Sequence, residues 1–96
     1  MNVLWLPRAR QNIAEIYKHI ATDSPAAARL VIDRLYNAGM ALGIPILTKR
    51  GRPGRVPGTR ELVVPKTSCI IAYRALDDHV EILAIIHSKR RWPSSF

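Results

Sequence analysis

The sequence has little cysteine and little negative charge. Its 96 residues include one cysteine, Cys69, and seven acidic residues against fifteen lysines and arginines. A single cysteine cannot form an internal disulfide bond or a cysteine-rich zinc site. Because Cys69 lies in the apolar run CIIAY, we interpret it as a small buried hydrophobic residue. We expect neither a metal nor a cofactor.

Long apolar runs are also missing. No run approaches the ~20 residues that a membrane-spanning helix needs. The N-terminal stretch MNVLWLPRAR lacks the charged lead and the long apolar segment of a signal peptide. We therefore expect a cytoplasmic protein with no membrane partner. Residues 1–96 are too few for two domains, so a single domain is predicted.

Positive charge is concentrated in the second half of the chain. Residues 1–48 carry five lysines and arginines against three acidic residues, whereas residues 49–96 carry ten against four. The formal net charge is +8. This excess favours a polyanionic partner such as RNA, DNA, the ribosome or an acidic protein segment, although a solvated basic surface stays an alternative.

The first half predicts a strand followed by a helix. Residues 3–6 form a short apolar run, and Pro7 ends it while suiting the start of a helix. Apolar residues then recur at the i, i+3, i+4, i+7 spacing of an amphipathic helix from Arg8 to about Ala21. These residues are Ile13, Ile16, Tyr17 and Ile20.

A second helix is predicted from Pro25 to about Leu42. Ser24 is a good N-cap residue, and Pro25 suits the first helical position. Gly43 is predicted to end the helix in the left-handed conformation, and Pro45 prevents its continuation. Because the link between the helices is short, they should form an antiparallel hairpin that packs its apolar stripes on another element.

The second half predicts three strands. Residues 59–64, 69–74 and 80–86 are joined by short turns and should form an antiparallel meander. In the third strand, strict alternation places Ala84 and Ile86 on the same face as Val80 and Ile82. The prediction is an α+β fold of order β-α-α-β-β-β, in which the helix hairpin packs on one face of a small, mainly antiparallel sheet.

A basic loop precedes the meander. Residues 51–64 read GRPGRVPGTRELVV, so three glycines and two prolines punctuate the loop before it passes into a β-branched strand. Arg50, Arg52 and Arg55 lie in or beside this loop. Their positive charge predicts that this surface faces an acidic protein partner or a nucleic acid.

Three features in this order resemble a known family. They are SPAAA at the start of the second helix, the GRPGRVPGTRELVV loop and strand, and EILAIIHSKRRWP after CIIAYR. Over residues 3–93 the chain resembles the RelE/ParE superfamily of toxins from type II toxin–antitoxin systems, on the ParE-like side. The resemblance implies a cognate acidic antitoxin that lays an amphipathic helix and an extended segment over the toxin. The complex of the two could bind operator DNA.

The resemblance leaves two targets to weigh. RelE-like members cut mRNA on the ribosome, whereas ParE-like members inhibit DNA gyrase. Metal-free RNA cleavage needs a base, an acid and cations fixed at the phosphate. If this chain is such a nuclease, the residue types select Arg60, His87 and Arg90, with Glu61 or Glu81 as other proton carriers.

Departures from the RelE-like pattern favour the other target. Ile70 occupies the position at which RelE-like nucleases carry an arginine, and an isoleucine offers no charge to a phosphate. Residues 62–64 are apolar where some RelE-like enzymes carry paired lysines. The ending His87-x-x-Arg90-x-Trp92-Pro93 is similar to that of ParE-like proteins.

We therefore predict a toxin that binds DNA gyrase and stalls it on cleaved DNA, with no catalytic residues of its own. Two alternatives stay open: a ribosome-dependent mRNA endonuclease, and an inactive member that only binds its antitoxin or operator DNA. The predicted target-binding surface consists of Arg60, Lys89, Arg90, Arg91 and Trp92.

Overall fold

A computed structural model describes residues 1–87, 93, 95 and 96 of the chain. It contains two helices and five strands. The helices are α1 (Pro7–Ala21) and α2 (Pro25–Ala41), followed by a single 3₁₀ turn (Pro45–Leu47). The strands are β1 (Asn2–Trp5), β2 (Arg52–Pro53), β3 (Arg60–Val64), β4 (Cys69–Ala75) and β5 (His79–His87). Neither helix in this described part is long and apolar enough to cross a membrane.

Both helices begin where their local chemistry predicts. Pro7 and Pro25 occupy the first helical position, where a missing N–H costs nothing. The Ser24 hydroxyl accepts a hydrogen bond from the Ala27 amide at 3.1 Å, which satisfies one of the amides left unpaired at a helix start. The predicted helix hairpin is confirmed, since α1 and α2 pack against each other.

The sheet has five strands in the order β1-β5-β4-β3-β2. The meander β3-β4-β5 is antiparallel as predicted, while β1 pairs with β5 in parallel. A parallel pair needs a long crossover, and the helix hairpin supplies it. Residues 52–53, which were predicted as loop, form the two-residue strand β2 against Arg60 and Glu61.

The predicted alternation in β5 is wrong beyond Ile82. Ala72 pairs with Ala84 and Tyr73 pairs with Ile82, so Leu83 is an extra residue that forms a β-bulge. The bulge shifts the alternation by one residue. Val80, Ile82 and Ile85 therefore face the helices, whereas Ala84 and Ile86 lie on the second face of the sheet.

The main core lies between the helices and one sheet face. Its members are buried aliphatic side chains of both layers together with the buried Tyr73 ring. From the sheet they include Leu62, Val64, Ile71, Tyr73, Val80, Ile82 and Ile85, and from the helices Ala9 and Leu35. The Asn12 side chain ties α1 to the bulge, because its Oδ1 accepts a hydrogen bond from the Ile85 amide at 3.0 Å.

Gly43 does not end α2 in the left-handed conformation, contrary to the prediction. The C-cap residue is Leu42, with ordinary right-handed angles, and Gly58 is the glycine with positive φ in the described chain. Gly43 is instead required by close approach. A Cβ atom there would lie 2.5 Å from the Met1 carbonyl oxygen, and the N-terminal ammonium donates to the Gly43 carbonyl at 2.7 Å.

Candidate functional site

The predicted site residues fall into two groups. Arg50, Arg52, Arg55 and Arg60 lie in the described basic loop and at the start of β3. The other predicted target-binding residues, Lys89, Arg90, Arg91 and Trp92, lie outside the described residues. Their proposed role therefore stays a prediction, and the described site is built around the loop.

The base of the loop is pinned to the sheet by two neighbouring side chains. The Tyr73 hydroxyl donates to the Thr48 carbonyl at 2.8 Å and accepts from the Gly51 amide at 2.9 Å. Arg60, the cross-strand partner of Tyr73, donates through Nη2 to the carbonyls of Lys49, at 3.0 Å, and Gly51. The Arg60 guanidinium thus holds the loop, and whether it also contacts a target stays a prediction.

The tip of the loop is a tight turn. The Thr59 amide donates to the Val56 carbonyl at 3.2 Å, and Pro57 and Gly58 lie at the two central positions. Gly58 has φ of +79°, which is the angle that the third residue of a type II turn requires. The turn returns the chain directly into β3, and the Gly54 amide closes it by donating to the Thr59 carbonyl at 2.8 Å.

Glu61 organises the arginines of the loop. Its side chain is 1% exposed, and Arg52 contacts its Oε1 through Nη2 at 3.2 Å and through Nε at 3.3 Å. The Arg55 amide donates to Oε2 at 2.6 Å, and the Arg55 Nε lies 3.8 Å from Oε1. A buried carboxylate is tolerated only with such partners. One acid therefore fixes two arginine side chains that are each 54% exposed.

The residues of the nuclease alternative do not converge. Arg60 pairs with Tyr73 of β4, whereas His87 pairs with Cys69, four residues away along the same strand. At ~3.3 Å per residue these two cross-strand pairs are roughly 13 Å apart. His87 instead lines a cavity of about 340 Å³ between α1 and the sheet, with Asn12 and Glu15. Arg90, the third residue of that set, is outside the described chain.

The second face of the sheet is apolar at its centre. Ala72 and Ala84 face each other across β4 and β5, beside the pair of Ile70 and Ile86. All four are buried, and Phe96 packs against this cluster. The Arg8 guanidinium lies 6.0 Å from the centre of the Phe96 ring. Ile70 thus places hydrocarbon where a RelE-like nuclease carries its arginine.

The helix hairpin carries a second, apolar surface. A groove of about 400 Å³ is lined by Trp5, Arg10, Ile13, Ile32 and Tyr36. The rings of Trp5 and Tyr36 lie 5.8 Å apart at 51°. Trp5 is half-buried and forms one wall of this groove. Grooves of this kind accept the apolar face of an amphipathic helix.

A further charged cluster lies at the turn between β4 and β5. The two ring nitrogens of His79 contact Asp78 at 2.7 Å and Glu81 at 3.3 Å, and Arg74 lies 3.3 Å from Glu81. The hydrogen bonds to Asp78 and then to Glu81 raise the pKa of His79 above its ordinary value. The hydrogen bond from His79 lowers the pKa of Asp78. In residues 1–87, 93, 95 and 96, no group of His, Cys, Asp and Glu has an arrangement that could hold a metal ion.

The fold matches that of a solved structure. A solved structure described as a chromosomal ParDE toxin–antitoxin system from P. aeruginosa has the same fold, with a TM-score of 0.80. The alignment covers 91% of this chain and 95% of that chain at 23% sequence identity.

The sequence itself defines the family. Residues 3–92 match the family described as the ParE toxin of the type II toxin–antitoxin system, parDE. The candidate toxin Y4kP of Sinorhizobium fredii is 41% identical over 91 residues, which cover 95% of this chain and 92% of that protein. The chain belongs to the ParE toxin family, as its resemblance to ParE-like proteins predicted.

Sequence reasoning missed the roles of Glu61 and Tyr73. A signal for Glu61 was present, because it is the single acid among the six lysines and arginines of residues 49–66. A lone acid inside a basic segment favours a structural ion pair. No comparable signal marked Tyr73, whose hydroxyl reaches across 25 residues of sequence to the Thr48 carbonyl.

Proposed function

We propose that this toxin acts in the cytoplasm by binding DNA gyrase and stalling it on cleaved DNA, without cutting RNA. The observation that carries the proposal is the apolar second face of the sheet. Ile70, at the position where RelE-like nucleases carry an arginine, is buried and offers no charge to a scissile phosphate. Arg60 and His87 are the cation and the proton carrier of the nuclease alternative, and they pair with β4 residues that lie four positions apart.

The proposed target-binding surface combines the loop with the cationic segment that follows β5. Its residues are Arg60, Lys89, Arg90, Arg91 and Trp92. Cations and an aromatic side chain suit a large, negatively charged partner such as gyrase engaged with DNA. Neutralising the four cations together should abolish growth arrest by a protein that remains folded.

Two assays on the purified toxin test the target. Supercoiling of relaxed plasmid by gyrase should fall with toxin concentration, and cleaved plasmid should accumulate. Primer extension on translated mRNA should show no new cuts. Cuts within codons of ribosome-bound mRNA, with supercoiling intact, would overturn the proposal.

The proposed partner is an acidic antitoxin that lays an amphipathic helix in the hairpin groove. The groove wall is apolar, and the net charge of +8 favours an acidic partner. Tyr36→Ala should weaken antitoxin binding about 30-fold or more, as expected for an aromatic anchor. Tyr17→Ala is the matched control, because Tyr17 is equally exposed but does not line the groove. Equal losses in both variants would argue against this groove. Binding of operator DNA by the complex is proposed on the resemblance alone.

A further inference from the structure

A second groove lies beside the buried carboxylate of Glu61, on the sheet face opposite the helices. It has a volume of about 510 Å³. Three cations border it, Arg52, Arg55 and Lys66, while Val63 and Ile70 supply an apolar floor. Val63 is 53% exposed, which is unusual for a valine at the centre of a strand.

The neighbouring strand edge is open. β2 pairs with Arg60 and Glu61, and within the described chain β3 has no strand partner beyond Glu61 on that side. Alternate residues of an antiparallel strand direct their main-chain groups to opposite sides, so Val63, two residues beyond Glu61, presents its N–H and C=O along the groove. Such an edge binds extended peptide segments by adding a strand to the sheet.

The charges of the groove select the chemistry of its occupant. The one acid in this region, Glu61, is buried and its charge is already paired. Its two arginine partners keep more than half of their side-chain surface exposed, so Glu61 orients cations that a ligand can reach. Oriented guanidinium groups bind carboxylates with defined geometry.

We propose that this groove docks an extended, carboxylate-bearing segment of the toxin's protein target, and that Glu61 is its positioning residue. The inference rests on the proposed function for the identity of that target. The apolar hairpin groove lies on the other side of the sheet and suits the antitoxin helix, so we assign this groove to the target; occupation by the extended segment of the antitoxin is the competing outcome that antitoxin-binding measurements distinguish.

The substitution Glu61→Gln separates positioning from simple attraction. It makes the groove more positive by one charge, so attraction alone would leave target binding equal or stronger. If Glu61 orients the arginines, inhibition of gyrase supercoiling should instead need about 5- to 10-fold more toxin. Glu81→Gln is the control, because it removes a glutamate from the more exposed ion pair with Arg74 on the same sheet face. Circular dichroism at the assay temperature verifies that both variants are folded.

The substitution Lys66→Gln tests the groove without touching Glu61. It should weaken inhibition about 5-fold, while Lys18→Gln, which removes the same charge from α1, should leave inhibition unchanged. Equal effects of the two lysine substitutions, or full potency of Glu61→Gln, would overturn the proposal.

Two further measurements distinguish other occupants. If Glu61→Gln and Lys66→Gln weaken antitoxin binding as much as they weaken inhibition, the groove belongs to the antitoxin and the proposal fails. If the two variants lose binding to a 20-base-pair DNA duplex to the same extent as they lose inhibition of gyrase, the groove is a DNA-binding surface and the proposal also fails. Should wild-type toxin not inhibit gyrase, the proposed function is wrong, and the same variant ratios are then read from growth arrest after induction.

Discussion

Two glutamates on the same face of the sheet, Glu61 and Glu81, meet arginines in different surroundings. The Glu61 side chain is 1% exposed and contacts Arg52 and Arg55. The Glu81 side chain is 21% exposed and contacts Arg74 and His79. Water screens the second cluster and is excluded from the first carboxylate. The same residue type is therefore expected to organise a loop in one place and to contribute little in the other.

The difference shows that burial, and not the number of ion pairs, decides which charge matters. An exposed ion pair contributes about 0–1 kcal/mol, because hydration competes with it. A buried carboxylate must keep its partners or lose several kcal/mol. In this toxin the buried carboxylate coincides with the loop that borders the second groove.

The largest effect should come from the base of the loop. Tyr73→Phe removes one hydroxyl and leaves the buried Thr48 carbonyl and Gly51 amide without their partner. We expect a loss of about 3 kcal/mol in the free energy of unfolding, measured by urea denaturation. Tyr36→Phe, at an exposed tyrosine, should lose less than about 0.5 kcal/mol. Similar losses in both would show that the loop base is not held by the Tyr73 hydroxyl.

The next effect tests the buried glutamate directly. Glu61→Gln keeps the volume of the side chain but removes its charge, so the hydrogen bonds to Arg52 and to the Arg55 amide weaken. The half-exposed arginines can be hydrated, which limits the loss of unfolding free energy to about 2 kcal/mol. A loss below about 0.5 kcal/mol in urea denaturation would remove the contrast between the two glutamates.

The matching substitution at the exposed cluster should do much less. Glu81→Gln is expected to change the free energy of unfolding by less than about 0.5 kcal/mol, because the partner Arg74 is 42% exposed. The measurement is the same denaturation series, at low and at high salt. A loss as large as that of Glu61→Gln would contradict the argument from burial.

The smallest effect is a pH dependence at His79. Since its pKa is raised in the folded state, the contribution of His79 to stability is present below its ordinary value of 6.5 and is lost as pH rises through the raised pKa. Asp78 acts in the opposite direction, since its lowered pKa adds stability that is lost when acid protonates it below 3.8. An NMR titration of the His79 ring should show a lower pKa in Asp78→Asn than in wild type. No difference would show that this contact does not form in solution.

Much of the fold follows from local pattern. The spacing of Ile13, Ile16 and Ile20 is typical of an amphipathic helix, and Ser24 with Pro25 begins the second helix where the structure has it. The two turns of the meander were predicted at residues 65–67 and 76–79, and the structure has turns at both places, the first extending to Ser68. These features depend on neighbours within about four residues, so the sequence contains their cause.

The face of Ala84 and the burial of Glu61 did not follow from local pattern. One extra residue, Leu83, reverses the alternation of β5, and its position is decided by pairing with β4. Tertiary contacts also fix Gly43, which is needed because the N-terminus packs on it.

The sequence alone determined the two helices, four of the five strands, the basic character and the resemblance to ParE-like toxins, because these features depend on residue types and short spacings. Only the tertiary structure decided which arginines bind Glu61 and which carbonyls accept hydrogen bonds from Arg60 and Tyr73. It also decided that Arg60 and His87 lie apart. The physical reason is that burial and strand register arise from contacts between residues far apart in the chain. The electrostatic energy of a charged side chain depends on that burial, because water screens exposed charges and not buried ones.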